Sequence, residues 1–315
     1  MKSRHLVDPE LEALLKIITL PPVGEHNYLE VRAMEMPFPE PGDDGVIHEV
    51  KAVPGPAGAP DIELRIMKPA GANGPLPVIY HVHGGGYVLG SAKDYEPLNR
   101  HLVPTLQCAL VTVEYRLAPE SPHPGPVEDC YAGLKWVFEN AEKEGFDTSR
   151  IGVKGESAGG GLAAALALLA RDRGEYKLAF QHLIYPMLDD RTGTSSDPHN
   201  YVGEFIWPVE GNRFGWASLL GKAPGSDDVS PYASPARAAD LGGLPPSFIY
   251  AGALDLFLEE DIEYARRLIR AGVPTELHIY PGAFHGFEVA AESHVAQQAY
   301  RDTIAALTRF MAPRG

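Results

Sequence analysis

Gly155-Glu156-Ser157-Ala158-Gly159 follows the short apolar run Ile151-Gly152-Val153 and precedes a stretch of small residues that begins at Gly160 and runs to Ala170. That order predicts a strand, a tight turn and a helix. A serine in such a turn is lifted out of the sheet onto the first turn of a helix, and glycine two residues away on either side supplies room the turn lacks. Ordinary strand-to-helix turns share the five-residue pattern, so the rest of the chain must separate a nucleophile elbow from a plain turn.

Around the elbow, apolar runs alternate with helical segments. Residues 78–82, 109–114, 151–153, 179–184, 247–251 and 276–280 read as strands, and 128–140, 161–172, 258–271 and 293–311 as helices. Upstream, residues 47–53 and 62–67 read as antiparallel edge strands within an extended stretch from Leu29 to Lys68. The pattern is α/β: a mostly parallel central sheet of about eight strands flanked by helices, with ligands expected outside the carboxyl ends of the strands.

Two segments depart from this rhythm. Leu11, Leu14, Leu15 and Ile18 have helical spacing, so an amphipathic helix is predicted over residues 10–18, ending at Pro21-Pro22. Residues 190–236 carry Phe205, Trp207, Phe214 and Trp216 among Gly, Pro, Ser and Asp, with no strand pattern. Such aromatic content argues against disorder, and a long insert in a compact domain reads as a lid. The expected organisation is therefore a helical cap built from residues 1–48 and 190–236 over a catalytic core of residues 49–189 and 237–315.

A formal net charge of -15 over 315 residues argues against nucleic acid, whose phosphates would be repelled, and disfavours anionic membranes. The start of the chain has no apolar signal core, because Asp8, Glu10, Glu12 and Lys16 interrupt it. The two cysteines, Cys108 and Cys130, form no disulfide framework and read as reduced, buried thiols in a cytoplasmic protein. Membrane insertion is not expected.

His83-Gly84-Gly85-Gly86-Tyr87 directly follows the strand at 78–82. Backbone N–H groups in a glycine-rich loop approach closely the oxygen that turns negative when an acyl carbonyl becomes tetrahedral. Gly84, Gly85 and Gly86, with Ala158, are the candidate donors. A phosphate-binding loop would need a following lysine and hydroxyl residue in Walker spacing, which this sequence lacks. His81 and His83 have no further metal ligands nearby, so no metal is expected. His83 reads as ordering the glycine loop, and His81 as a satisfied core residue.

Serine needs a base to take its proton, and that base is normally a histidine oriented by a carboxylate. Asp255 follows the strand at 247–251, and His285 follows the strand at 276–280 between Gly282 and Gly286. Both stand at strand ends, in the order serine, acid, histidine. Asp255 has an alternative use as a helix cap. Glu259, Glu260 and Asp261 read as a solvated helix face.

These residues are where a family becomes recognisable. The chain resembles the hormone-sensitive-lipase-like group of α/β-hydrolases, bacterial family IV carboxylesterases. The likeness rests on His83-Gly84-Gly85-Gly86, on Tyr115-Arg116-Leu117-Ala118-Pro119-Glu120 with Glu128-Asp129-Cys130, on Gly155-Glu156-Ser157-Ala158-Gly159, on Tyr185-Pro186 and on His285-Gly286-Phe287. It departs from the group at Glu156, where Asp is usual, and at Leu256, where Pro is common.

The resemblance implies the α/β-hydrolase fold, with Ser157 as nucleophile, His285 as base and acid, Asp255 as its orienting carboxylate, and Ala158 with Gly85 and Gly86 as oxyanion hole. It implies a carboxylesterase that hydrolyses short- to medium-chain acyl esters without a cofactor, and a homodimer joined through the C-terminal strand and helix. The same machinery on an amide, lactone or acetylated small molecule is the alternative, and a non-catalytic receptor a more distant one. Tyr87, Phe205, Trp207 and Trp216 are the candidate pocket residues for a small-molecule ester.

Overall fold

The computed structural model describes residues 1–17, 21–34 and 44–313. Its strands are β1 (Val46–Val53), β2 (Ile62–Pro69), β3 (Leu76–Val82), β4 (Ala109–Glu114), β5 (Phe146–Glu156), β6 (Gln181–Ile184), β7 (Ser247–Gly252) and β8 (Thr275–Tyr280). They form one sheet in the order β1-β2-β4-β3-β5-β6-β7-β8. Strand β2 runs antiparallel to β1 and β4, and the pairings from β4 through β8 are parallel. The expected mostly parallel sheet is present.

The helices are α1 (Leu14–Ile17), α2 (Tyr28–Arg32), α3 (Ala92–Asn99), α4 (Leu102–Leu106), α5 (Gly125–Glu139), α6 (Ala141–Glu144), α7 (Ala158–Arg173), α8 (Val209–Leu220), α9 (Leu258–Arg270) and α10 (His294–Met311). Strand alternation divides the core between two helical layers. Val78, Tyr80 and Val82 of β3 pack with residues of α5, α7 and α9, while Ile79 packs with α4 and α10. Burying a side chain such as Val78 or Ile79 contributes roughly 1.5–3 kcal/mol. Helix α7 is buried from Ala158 to Ala170, which only a run of small and apolar residues permits.

Three expectations need correction. The helix over 10–18 shrinks to α1, because Asp8 Oδ1 accepts from the Glu10 amide and i to i+3 bonds carry Leu11 and Leu14 through tight turns; Ile18 lies outside the described residues. The extended stretch from Leu29 begins instead with α2, packed through Val31. The insert at 190–236, read as part of a helical cap, contains α8: a Cβ on Gly215 would lie 2.5 Å from the Gly86 carbonyl oxygen, so glycine lets the helix press on that loop. Glu260 and Asp261 are buried rather than solvated. Glu260 accepts from the amides of Leu188 (2.6 Å) and Asp189 (3.2 Å), and burial pushes both carboxyls well above the usual range.

The loop after β4 is fixed by charge. Asp129, fully buried on α5, accepts from Arg116 through its amide (3.0 Å), Nε (2.8 Å) and Nη2 (2.7 Å). Glu120 pairs instead with Arg32 of α2 at 2.9 Å. Replacing Arg116 by alanine leaves the Asp129 carboxylate buried with one backbone donor. Because the Arg116 side chain is 36% exposed, we expect a loss of about 2–3 kcal/mol in urea unfolding rather than the full cost of breaking a wholly buried pair. An unchanged urea midpoint would show that the loop is held by packing alone.

Candidate active site

The elbow is a backbone problem solved by glycines. Ser157 has φ 56° and ψ -123°, a conformation few non-glycine residues adopt. Its amide donates to the Ile184 carbonyl (2.9 Å), and its carbonyl accepts from the amides of Met187 (2.9 Å) and Gly161 (3.0 Å). A Cβ on Gly155 would come within 2.2 Å of the Gly159 oxygen, and one on Gly159 within 2.1 Å of the Val82 oxygen. The first turn of α7 is thus pressed against the end of β3.

Three side chains from three strand ends meet there. His285 Nε2 lies 3.0 Å from Ser157 Oγ, and His285 Nδ1 lies 2.8 Å from Asp255 Oδ2. Asp255 also accepts from the Phe257 amide at 2.9 Å, so it both caps the turn and faces the histidine. All three residues are buried. The imidazole packs against the Tyr185 ring (centroids 4.4 Å apart, tilted 55°) and makes a T-shaped contact with Phe257 (5.3 Å, 84°). Asp189 and Asp190 are engaged elsewhere, with Arg191 and Arg237.

The glycine loop lies beside this trio. A Cβ on Gly84 would stand 3.5 Å from Ser157 Cβ and 2.6 Å from the Tyr95 hydroxyl. Gly85 and Gly86 have φ 119° and 60°, open to glycine alone at low cost. His83 Nδ1 donates to the Gly84 carbonyl at 2.8 Å and its ring stacks on Tyr115 at 4.2 Å. Burial lowers its pKa to about 4, so it is a neutral structural imidazole. His81 packs on the same Tyr95 ring as His83 (5.9 and 5.8 Å), but its Nε2 is taken up by Glu156 Oε2 (2.7 Å). Among the described residues no group of three or more His, Cys, Asp or Glu is arranged to hold a metal ion.

The aromatic residues of the insert divide into two kinds. Trp207 lies over Gly86, where an added Cβ would meet the indole at 2.1 Å, and Phe205 packs on Phe284 at 5.6 Å. Tyr87 and Trp216 are fully buried against each other at 5.1 Å, with the Tyr87 hydroxyl donating to the Met187 carbonyl (3.0 Å).

A polar layer beneath the elbow escaped the sequence reading. Lys154 and Glu156, two apart on β5, share a face with His81 and Asn99, and all four are buried. Lys154 Nζ bonds Asn99 Oδ1 (2.8 Å) and Glu156 Oε1. Burial alone would raise the Glu156 carboxyl, but His81 and Lys154 outweigh it and hold it below the usual carboxylate range. The signal available was the alternation of Lys154 and Glu156 in a strand otherwise wholly buried at its end.

With this geometry in view, comparison with known proteins is decisive. Residues 79–289 match the family described as the alpha/beta hydrolase fold. The chain belongs to that family. It is 38% identical to carboxylesterase NlhH of Mycobacterium tuberculosis over 242 residues, covering 73% of this chain and 72% of the relative. It is 30% identical to an arylesterase of Saccharolobus solfataricus over 281 residues, covering 88% and 81%. Among solved structures it is similar to a bacterial heroin esterase, with a TM-score of 0.91 and 39% identity over 98% of this chain and 99% of that one. The chain is a carboxylic ester hydrolase of the hormone-sensitive-lipase-like group. No helix among the described residues is long and apolar enough to cross a membrane.

The contact between Trp207 and Gly86 yields a test of the geometry. Gly86→Ala should lower the thermal midpoint, because it adds both a clash and positive-φ strain of about 1 kcal/mol or more. Gly86→Ala should cost less in a Trp207→Ala background than in the wild type, because the clash is gone there. An equal cost in both backgrounds would mean that the indole does not rest on the loop.

Proposed function

We propose that this chain is a serine carboxylesterase acting through an acyl-enzyme on Ser157, with short- to medium-chain acyl esters as substrates. The observation that carries the proposal is the single imidazole hydrogen-bonded at once to Ser157 Oγ and Asp255 Oδ2. Ser157 Oγ attacks the ester carbonyl while its proton passes to His285 Nε2, and Asp255 stabilises the imidazolium. The alcohol leaves with that proton. Water, deprotonated by the same nitrogen, then attacks the acyl-enzyme and releases the acid.

The oxyanion is assigned to the amides of Gly85, Gly86 and Ala158. The Tyr95 hydroxyl crowds Gly84, standing 2.6 Å from where a Cβ would lie, which favours the next two glycines as donors. The Ala158 amide opens α7, ahead of the helix's own hydrogen-bond ladder. Each such donor is worth roughly 3–4 kcal/mol of barrier.

The cap is assigned to residues 190–236 together with the described residues that precede β1, 1–17, 21–34 and 44–45. In its support, the Asp8 amide donates to the Gly282 carbonyl (3.1 Å) near His285, and Ser3 Oγ bonds Glu204 (2.6 Å) beside Phe205. Trp207 and Phe205 would wall the substrate space, with Tyr87 and Trp216 buried behind it, which favours small acyl groups over long ones. The sheet order ends at β8, whose outer edge offers a surface for a homodimer. Two buried free thiols suit the cytoplasm.

A fluorophosphonate probe should label the wild-type protein and leave Ser157→Ala unlabelled. Asp255→Asn should lower kcat by about 10²- to 10⁴-fold with KM little changed, because the imidazole loses its tautomer and its counter-charge. The kcat/KM of the wild type should fall on the acid side, since imidazolium has no lone pair at Nε2. Labelling of Ser157→Ala, or near wild-type turnover by Asp255→Asn, would contradict these assignments.

A further inference from the structure

Glu288 stands three residues after His285, in the 3-10 turn Phe287–Val289. Its carboxyl turns inward: Oε1 accepts the Tyr185 hydroxyl proton, and Oε2 is buried with no partner among the described residues. The Tyr185 ring lies against the His285 imidazole, and Tyr185 is itself held at φ 33° with its amide donating to the Tyr250 carbonyl at 2.6 Å. Its chain neighbours Ile184 and Met187 make the backbone hydrogen bonds that hold Ser157. One short segment therefore touches both the serine and the histidine, and Glu288 grips its aromatic side chain.

The two hydrogen bonds of His285 fix its ring nitrogens but leave the ring free to tilt about the line between them. Contact with the Phe257 and Tyr185 rings limits that tilt. Freed from Glu288, the phenol of Tyr185 has no anchor for its far end. We propose that Glu288 is a positioning residue for ester hydrolysis, acting through Tyr185 to hold the His285 imidazole in line between Ser157 and Asp255. The proposal rests on His285 as the general base.

The charge of Glu288 is part of the device. Burial, aided by the negative charge of Glu156 and opposed by a backbone hydrogen bond and Lys154, pushes its carboxyl up to about 7. Glu288 shares a cavity of about 540 Å³ with Tyr95 and Asn99 of α3, His101, Lys154 and Glu156 of β5, Tyr250 of β7, and Gln297 and Tyr300 of α10. Protonated, Glu288 is a neutral acceptor for the Tyr185 hydroxyl; above neutrality it becomes an anion and a stronger one. Ionisation of Glu288 therefore tightens its hold on the Tyr185 hydroxyl, so removing the carboxylate should cost more above neutrality than below it.

The test is kcat and KM for a short-chain p-nitrophenyl ester over about pH 5–9, with the wild type, Glu288→Gln, Tyr185→Phe and His285→Ala. Glu288→Gln should lower kcat about 5- to 20-fold above neutrality, and less below it, with KM within about twofold. Tyr185→Phe keeps the ring and the carboxyl but loses the link, so it should lower kcat with the same pH dependence. Wild-type kcat across the whole range in both variants would overturn the proposal. So would a loss equal at every pH that matches a fall in thermal midpoint, which marks a merely structural role. Should Glu288→Gln not fold, Tyr185→Phe carries the same test. Activity retained by His285→Ala would instead strike the assignment of the base.

Discussion

Everything in this molecule is arranged around the backbone of Ser157. Its φ 56°, ψ -123° conformation costs of order 1–3 kcal/mol, and it persists only because its surroundings over-determine it. Ile184 and Met187 grip it from the β6 side, Gly161 from the helix, and Gly155 and Gly159 let β5, α7 and the end of β3 approach within a distance no side chain would tolerate. The sheet order is what makes this affordable in space, since β3 and β6 flank β5 and deliver the glycine loop and the clamp to the same point.

The electrostatics follow from that geometry. A serine pushed out of the sheet end has a histidine within hydrogen-bond reach only if β8 delivers it, and that histidine is held in turn by the carboxylate after β7. Beneath the elbow, Lys154, Glu156 and His81 form a compensated buried layer, so the charge next to Ser157 is fixed before any substrate arrives. The longer acid at Glu156 reaches both partners while its backbone enters the turn. Preorganised charge and dipoles of this kind, aimed at one point in a dry site, are the main resource of ester hydrolysis.

Much of this could be read from the chain. The strands at 78–82, 109–114 and 247–251 carry their signal locally as mostly apolar runs, and that at 276–280 as an alternation of polar and apolar residues, and each strand-end loop names its own chemistry. The elements that resisted were those whose reason lies in a neighbour. Helix α8 contains Gly211 and Gly215, poor helix formers, and Gly215 is there because the Gly86 carbonyl presses on it. Glu260 and Asp261 look solvated by composition, yet the amides of Leu188 and Asp189 draw Glu260 inward. Glu288 offers no local sign at all; only the fold brings it to Tyr185.

The central claim, that Ser157 carries the acyl group, is tested most directly by quenching the enzyme during turnover of a slowly deacylating ester and mapping the added mass by peptide mass spectrometry. The account predicts one acyl group, on the peptide containing Ser157, that disappears as product acid accumulates. An acyl adduct on another residue, or turnover with no covalent adduct at any time, would contradict it.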